Sequence, residues 1–330
     1  MESVQHLKKR LKSIGNIQKI TKAMELVAAT KMRKSQEIAL ASRPYAFVAL
    51  DLLANLSLLE KDKALPKLLR QREIKKVLFV LVSSDKGLAG AFNSLLFKKF
   101  EKYLLELKEQ YADEEKGMPS VAKAMEGDSN KKLFIAVGEK AFQYLSRKKN
   151  PVVKKFVQVG DFVTPEQVQP LADVIVQGYL EHHWDRVVIF STHFRSALKQ
   201  EALMRRVLPV DFNHVKQTLE EIIPTTGKFS ELRESFKLGD SHFKNQNYLI
   251  EPSAKEVLED LAKHLLFMQI YHLVLEANAA EHSARRMAMK TASDNAADLS
   301  ETLNLQYNKS RQAAITNQII EITAGAESLS

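Results

Sequence analysis

The octapeptide Ser83-Ser84-Asp85-Lys86-Gly87-Leu88-Ala89-Gly90 is the part of this chain most suggestive of chemistry. It follows an apolar run and opens a helical pattern, where a glycine turn can present backbone amides to a phosphate. The spacing Gly87-x-x-Gly90 is not GxGxxG, and no GxxxxGK followed by Ser or Thr occurs in the chain. The segment therefore reads as a tight strand-to-helix turn. Ser83, Ser84 and Asp85 also have the types of a nucleophile and its acid, but no histidine base stands out beside them. The nine histidines show no metal-ligand spacing. His264 and His272 stand two helical turns apart, too far for one ion, and His182-His183 falls near a helix end. Cysteine is absent, which excludes disulfides, thiolate metal sites and cysteine nucleophiles. No catalytic, cofactor-binding or metal-ligating residue is assigned.

The elements that would hold such a turn are unusual. From Ser253 to Gly325 there is no proline, and Gly325 is the only glycine. The composition favours helix throughout. A helix of about 70 residues would be roughly 105 Å long and needs a long neighbour or partner proteins. Ser253 is the expected N-cap, with Glu256 at the capping-box position. Leu258, Leu261, Leu265, Met268 and Leu275 follow the helix period. An alanine-rich stretch from Ala277 to Ala297 permits close helix approach, and Ile315, Ile319, Ile320 and Ile322 make an apolar tip. At the other end, Val4, Leu7, Leu11, Ile14, Ile17, Ile20, Met24 and Val27 form an apolar stripe. This is a heptad seam with a three-residue stammer near Ile14–Ile20. The helix is expected to reach about Leu59, interrupted at Arg43-Pro44.

Charge supports pairing of the two ends. The chain carries net +9. Residues 1–43 hold ten basic and three acidic residues, net +7, and residues 253–330 hold seven basic and ten acidic, net −3. Opposite signs suit helices lying side by side or a basic helix against an acidic partner. The middle, 74–251, changes period. Ile74–Val82, Lys131–Val137 and Arg186–Thr192 read as buried parallel strands, with further strands near 152–158 and 202–210. Helices are expected at 92–110, 138–147 and 165–182. Strands alternating with helices imply a mainly parallel, Rossmann-like sheet. The polar stretches 111–130 and 211–245 read as surface insertions. The expected division is 1–59 as an N-terminal coiled-coil helix, 74–251 as an α/β foot, and 252–330 as a C-terminal coiled-coil helix. The two helices are expected to pair antiparallel, with the C-terminal one overhanging. No transmembrane helix is expected, and Met1-Glu2-Ser3 lacks a signal core, so secretion is not expected.

Four segments together resemble a known family. They are Ile20-Thr-Lys-Ala-Met-Glu-Leu-Val-Ala-Ala-Thr-Lys-Met-Arg-Lys-Ser-Gln36, Ser84-Asp-Lys-Gly-Leu-Ala-Gly90, Ala284-Arg-Arg-Met-Ala-Met-Lys-Thr-Ala-Ser-Asp-Asn295 and Leu305-Gln-Tyr-Asn-Lys-Ser-Arg-Gln-Ala-Ala-Ile-Thr316. In order and extent they resemble the gamma subunit of rotary F-type ATP synthases.

The resemblance implies a central shaft without catalytic residues or cofactors. Its terminal helices would turn inside a hexamer of alpha and beta subunits, and its foot would rest on the c-ring with the epsilon subunit. It would couple ion flow to ATP formation. By motif match, Arg311, Gln312 and Thr316 would touch a beta-subunit loop near the tip, and Met24, Lys31 and Arg33 would lie at a lower beta contact. The implied place is the cytoplasmic side of the bacterial inner membrane, peripheral through the complex. The absence of cysteine excludes the dithiol regulation found in plant-chloroplast relatives. Rival readings are a dinucleotide-binding enzyme, which requires a phosphate fingerprint, and a coiled-coil nucleic-acid adaptor, which requires salt-dependent DNA binding.

Overall fold

The computed structural model describes residues 3–41, 67–112, 132–196, 199–210, 251 and 253–327. The expected insertions at 111–130 and 211–245, and the expected break at Arg43-Pro44, lie wholly or almost wholly outside these residues. The elements are α1 (Val4–Ala41), β1 (Val77–Val82), α2 (Phe92–Ala112), β2 (Lys132–Val137), α3 (Glu139–Arg147), β3 (Val152–Phe156), α4 (Pro165–Leu180), β4 (Arg186–Phe194), β5 (Gln200–Leu208) and α5 (Ala254–Glu327). All five expected strands and all three expected middle helices are present. Two compact units result, one of residues 1–30 with 285–330 and one of residues 31–284. The two long helices contribute to both.

In the larger unit the sheet order is β3-β2-β1-β4-β5. Pairs β1–β2, β1–β4 and β2–β3 are parallel, and β5 runs antiparallel to β4. Burial on both faces explains the near-continuous apolar composition of β1. Alternate residues serve opposite cores. Leu78, Val80, Ile135 and Ile189 pack with Ile175 and Tyr179 of α4 and Leu265 and Ile270 of α5. Phe79, Phe134 and Phe190 pack with Leu96 and Phe100 of α2 and Leu145 of α3. Ring pairs such as Phe100–Phe190, edge-on at 5.2 Å, give this second core a defined geometry. The helix α5 begins as expected, since the Glu256 amide donates to Ser253 Oγ at 3.3 Å.

The smaller unit is a helix pair, and its seam differs from the expected one. The covered positions of α1 include Val4, Leu7, Leu11, Ile14, Gln18, Thr21, Glu25 and Ala28. After Ile14 the heptad continues to Gln18 without a stammer. The expected seam residues Ile17, Ile20 and Val27 are instead 50%, 59% and 52% exposed. Both stripes have helical spacing, and only the covered one keeps the heptad alternation of three and four along its whole length, through Gln18, Thr21, Glu25 and Ala28. The bulky stripe stands one position earlier, about 100° around the helix. Facing it, α5 covers Met289, Ser293, Ala296, Ser300, Leu303, Tyr307 and Ser310, again a heptad. The pairing is antiparallel. In the larger unit Ser35 of α1 meets Asn278 of α5. The smaller unit joins the earlier residues of α1 to the later residues of α5. From Ile315 to Ala324 every residue of α5 is exposed.

Candidate functional site

The C-terminal edge of the sheet is where an α/β fold would bind a ligand. The chain runs outward from β1 to β2 to β3, then returns through α4 to β4 on the other side of β1. The switch point therefore lies between β1 and β4. That crevice is occupied by the protein itself. Phe194 at the end of β4 packs with Ala89 and Phe92 after β1 and with Ala280 and Ala284 of α5. Beside them, His193 Nδ1 lies 2.6 Å from Glu276 Oε2, both side chains at most 9% exposed. The ring N–H donates to the carboxylate and satisfies two groups that would be costly to bury alone.

The Ser83-Ser84-Asp85 turn also spends its polar atoms internally. Asp85 Oδ1 accepts the Glu139 amide at 3.0 Å, and Ser83 Oγ accepts the Ala141 amide at 2.7 Å. The Ser84 carbonyl accepts the Lys140 amide at 3.1 Å. These are orphan donors at the start of α3, so the turn caps a helix that it does not precede. Asn93 holds the turn, accepting from the Ser84 amide at 3.1 Å and donating to its hydroxyl at 2.7 Å. Gly138 has φ +88°, and a Cβ there would collide with the Ser83 carbonyl. The expected strand-to-helix turn is present, and its polar groups are spent on the start of α3.

A second group of polar contacts fixes the long helices to the α/β body. Lys31 Nζ lies 2.6 Å from Asp161 Oδ2. Its hydrogen bond holds the Asp161 carboxyl below the usual carboxylate range, with Lys86 and His282 adding weaker attraction. His282 Nε2 donates to the Asp161 carbonyl at 3.1 Å, and Asn278 Nδ2 to the Gly160 carbonyl at 3.5 Å. Gln200 Nε2 donates to Ser283 Oγ at 3.1 Å.

The expected partner-contact residues fall in two places. Arg311, Gln312 and Thr316 are exposed near the end of α5, with Thr316 Oγ1 donating to the Gln312 carbonyl at 2.9 Å. Met24 is half-buried in the smaller unit. Lys31 and Arg33 belong to the larger unit, where Arg33 is exposed and Lys31 is engaged with Asp161. The histidine pattern gave no hint of the His193–Glu276 pair. The available signal was Glu276 itself, the sole Asp, Glu, Lys or Arg between His264 and Ala280. Likewise α3 opens on Gly138-Glu139 with no side-chain cap of its own, so its cap had to come from elsewhere. Among the described residues no cluster of His, Asp and Glu could hold a metal ion.

The model of the ATP synthase family matches residues 3–329, so the chain belongs to that family. Its relatives there are gamma chains. The ATP synthase gamma chain of Gloeothece citriformis is 34% identical over the whole of both chains. That of Bordetella pertussis is 36% identical over 99% of each. Among solved structures, a chain of the Euglena gracilis mitochondrial ATP synthase OSCP/F1/c-ring assembly shares the fold with TM-score 0.59. It is 18% identical and is matched over 99% of this chain and 94% of that one. A chain of the Tetrahymena thermophila central stalk and c-ring gives 0.53 at 21% identity, over 83% and 99%.

Proposed function

We propose that the chain is the central rotor shaft of an ATP synthase, a non-catalytic subunit. It couples rotation of a membrane c-ring to conformational change at the catalytic sites of an alpha/beta hexamer. The observation that carries this reading is the end of α5. Ile315, Ile319, Ile320 and Ile322 are 47%, 57%, 57% and 72% exposed on a helix that has outrun its partner. An apolar tip of that kind suits a surrounding apolar sleeve. The off-seam stripe Ile17, Ile20 and Val27 adds a second uncovered apolar face on α1. Arg311, Gln312 and Thr316 would touch a beta-subunit loop just before the tip, and Met24, Lys31 and Arg33 a lower one. Residues 1–59 and 252–330 would serve as the shaft and 74–251 as the foot, which meets the c-ring and an epsilon subunit.

The subunit is peripheral to a membrane through its complex, and no described helix is long and apolar enough to cross one. We place that membrane as the bacterial inner membrane, with the chain on its cytoplasmic side. Co-expression with alpha and beta subunits tests the reading. A purified assembly containing this chain, with ATPase activity that requires it, is the expected result. A hexamer that forms and hydrolyses ATP without retaining the chain would overturn it.

A further inference from the structure

Residues Glu276–Ser283 of α5 form two turns of helix, closely packed and rich in small side chains. Ala277, Ala279 and Ala280 offer almost no lever arm, and apolar contact is non-directional. Their packing alone would let the helix turn about its axis. Four of its five polar residues, Glu276, Asn278, His282 and Ser283, do not permit this, because each is hydrogen-bonded to a fixed part of the α/β body.

The directions of these bonds matter more than their number. At about 100° per residue, Glu276 and Ser283 stand roughly 20° apart, on one side of the helix. They reach His193 at the end of β4 and Gln200 at the start of β5. Asn278 and His282 stand about 40° apart, on a side roughly 130° away. They reach the Gly160 and Asp161 carbonyls in the loop between β3 and α4. The same loop binds α1, since Asp161 takes Lys31, and Ser35 Oγ donates to Asn278 Oδ1 at 2.8 Å. Directional bonds on two well-separated sides make a couple, which resists rotation.

We propose that Glu276–Ser283 is the torque grip of this rotor. Glu276 with His193 and Ser283 with Gln200 act on one side, and Asn278 and His282 with residues 160–161 act on the other. Together they hold the shaft helix against turning within the α/β body. His193, Gln200 and Glu276 are positioning residues and take no part in catalysis. The inference rests on the reading of the chain as a rotor.

The test uses the assembled complex with alpha, beta and c-ring subunits. The variants are Glu276→Met, which removes the bond to His193, and Glu276→Gln, which can keep it. Gln200→Ala removes the other bond on that side, to Ser283, at a half-buried position, should Glu276→Met prevent assembly. With hydrolysis stalled, the angular variance of a probe fixed to the α/β body is expected to widen by roughly a third when one of the four comparable bonds is removed. Ion transport per ATP hydrolysed should fall, while the hydrolysis rate of the hexamer stays at the parent value. Glu276→Gln should restore both quantities. Parent-like variance and parent-like transport per ATP in assembled Glu276→Met or Gln200→Ala complexes would overturn the grip. Failure of the parent chain itself to assemble with alpha and beta subunits would overturn the rotor reading instead.

Discussion

The carboxylate of Asp85 accepts the backbone N–H of Glu139 at 3.0 Å, so a residue after β1 caps a helix that follows β2. The cap ties the ends of the two central strands together through backbone that would otherwise be unsatisfied. Asp85→Ala should cost about 1 kcal/mol, the usual worth of a lost N-cap. Hydrogen exchange should show the Glu139 amide losing protection first, with Ala141 still held by Ser83. Asp85→Asn should retain most of the protection. Equal exchange at Glu139 in the parent and the alanine variant would show that the cap contributes nothing.

The seam of the helix pair predicts opposite outcomes for two leucine-sized residues. Leu7 is 2% exposed and Ile20 is 59% exposed. Leu7→Ala should destabilise by about 2–4 kcal/mol. Ile20→Ala should stay within roughly 0.5 kcal/mol, because it touches no packed feature. Denaturant midpoints of the two variants read this directly. A larger loss for Ile20→Ala would restore the stammered seam expected from apolar spacing.

Gly178 leaves room for the Trp184 indole, and a Cβ there would meet that ring. Trp184 Nε1 also donates to the Ile175 carbonyl at 3.1 Å, so the ring cannot swing aside freely. Gly178→Ala should cost about 1–3 kcal/mol as an overpacked site. In a Trp184→Leu background the added cost should nearly vanish. A double-mutant cycle measures that coupling, and full additivity would contradict the geometry.

Asp161 predicts a pH dependence with a definite sign. Its folded carboxyl is held below its ordinary range, first by the hydrogen bond from Lys31. A lowered folded value means the stabilisation is present above the unfolded value of about 3.9. It is lost as pH falls through the lower folded value. The carboxylate is 42% exposed, so solvent screening keeps the effect below about 1 kcal/mol. The NMR titration of the Asp161 carboxyl carbon should show a midpoint below the usual range. Lys31→Met should move the midpoint upward, and an unchanged midpoint would remove Lys31 as the cause.

The architecture was legible because the periods are strong. Burial on both faces leaves β1 no polar positions, and Ser253 announces its helix. The seam is not legible from apolarity alone, because apolar residues of α1 are not all buried. In this pair Thr21, Glu25 and Ala28 are covered while Ile20 and Val27 are not. The polar contacts of α5 were invisible for another reason. His193 and Glu276 are 83 positions apart, and only the folded sheet brings them together. A lone acid in an apolar run indicates that a partner exists without saying which residue it is.

The isoleucines beyond Ala314 have a consequence for the cell as well as for the machine. A copy of this chain made in excess of its partners displays a helical end that chaperones and proteases recognise as unfinished. The surface that suits a sleeve thus also marks the surplus copy, so the level of the chain should follow the supply of its partners rather than its own rate of synthesis.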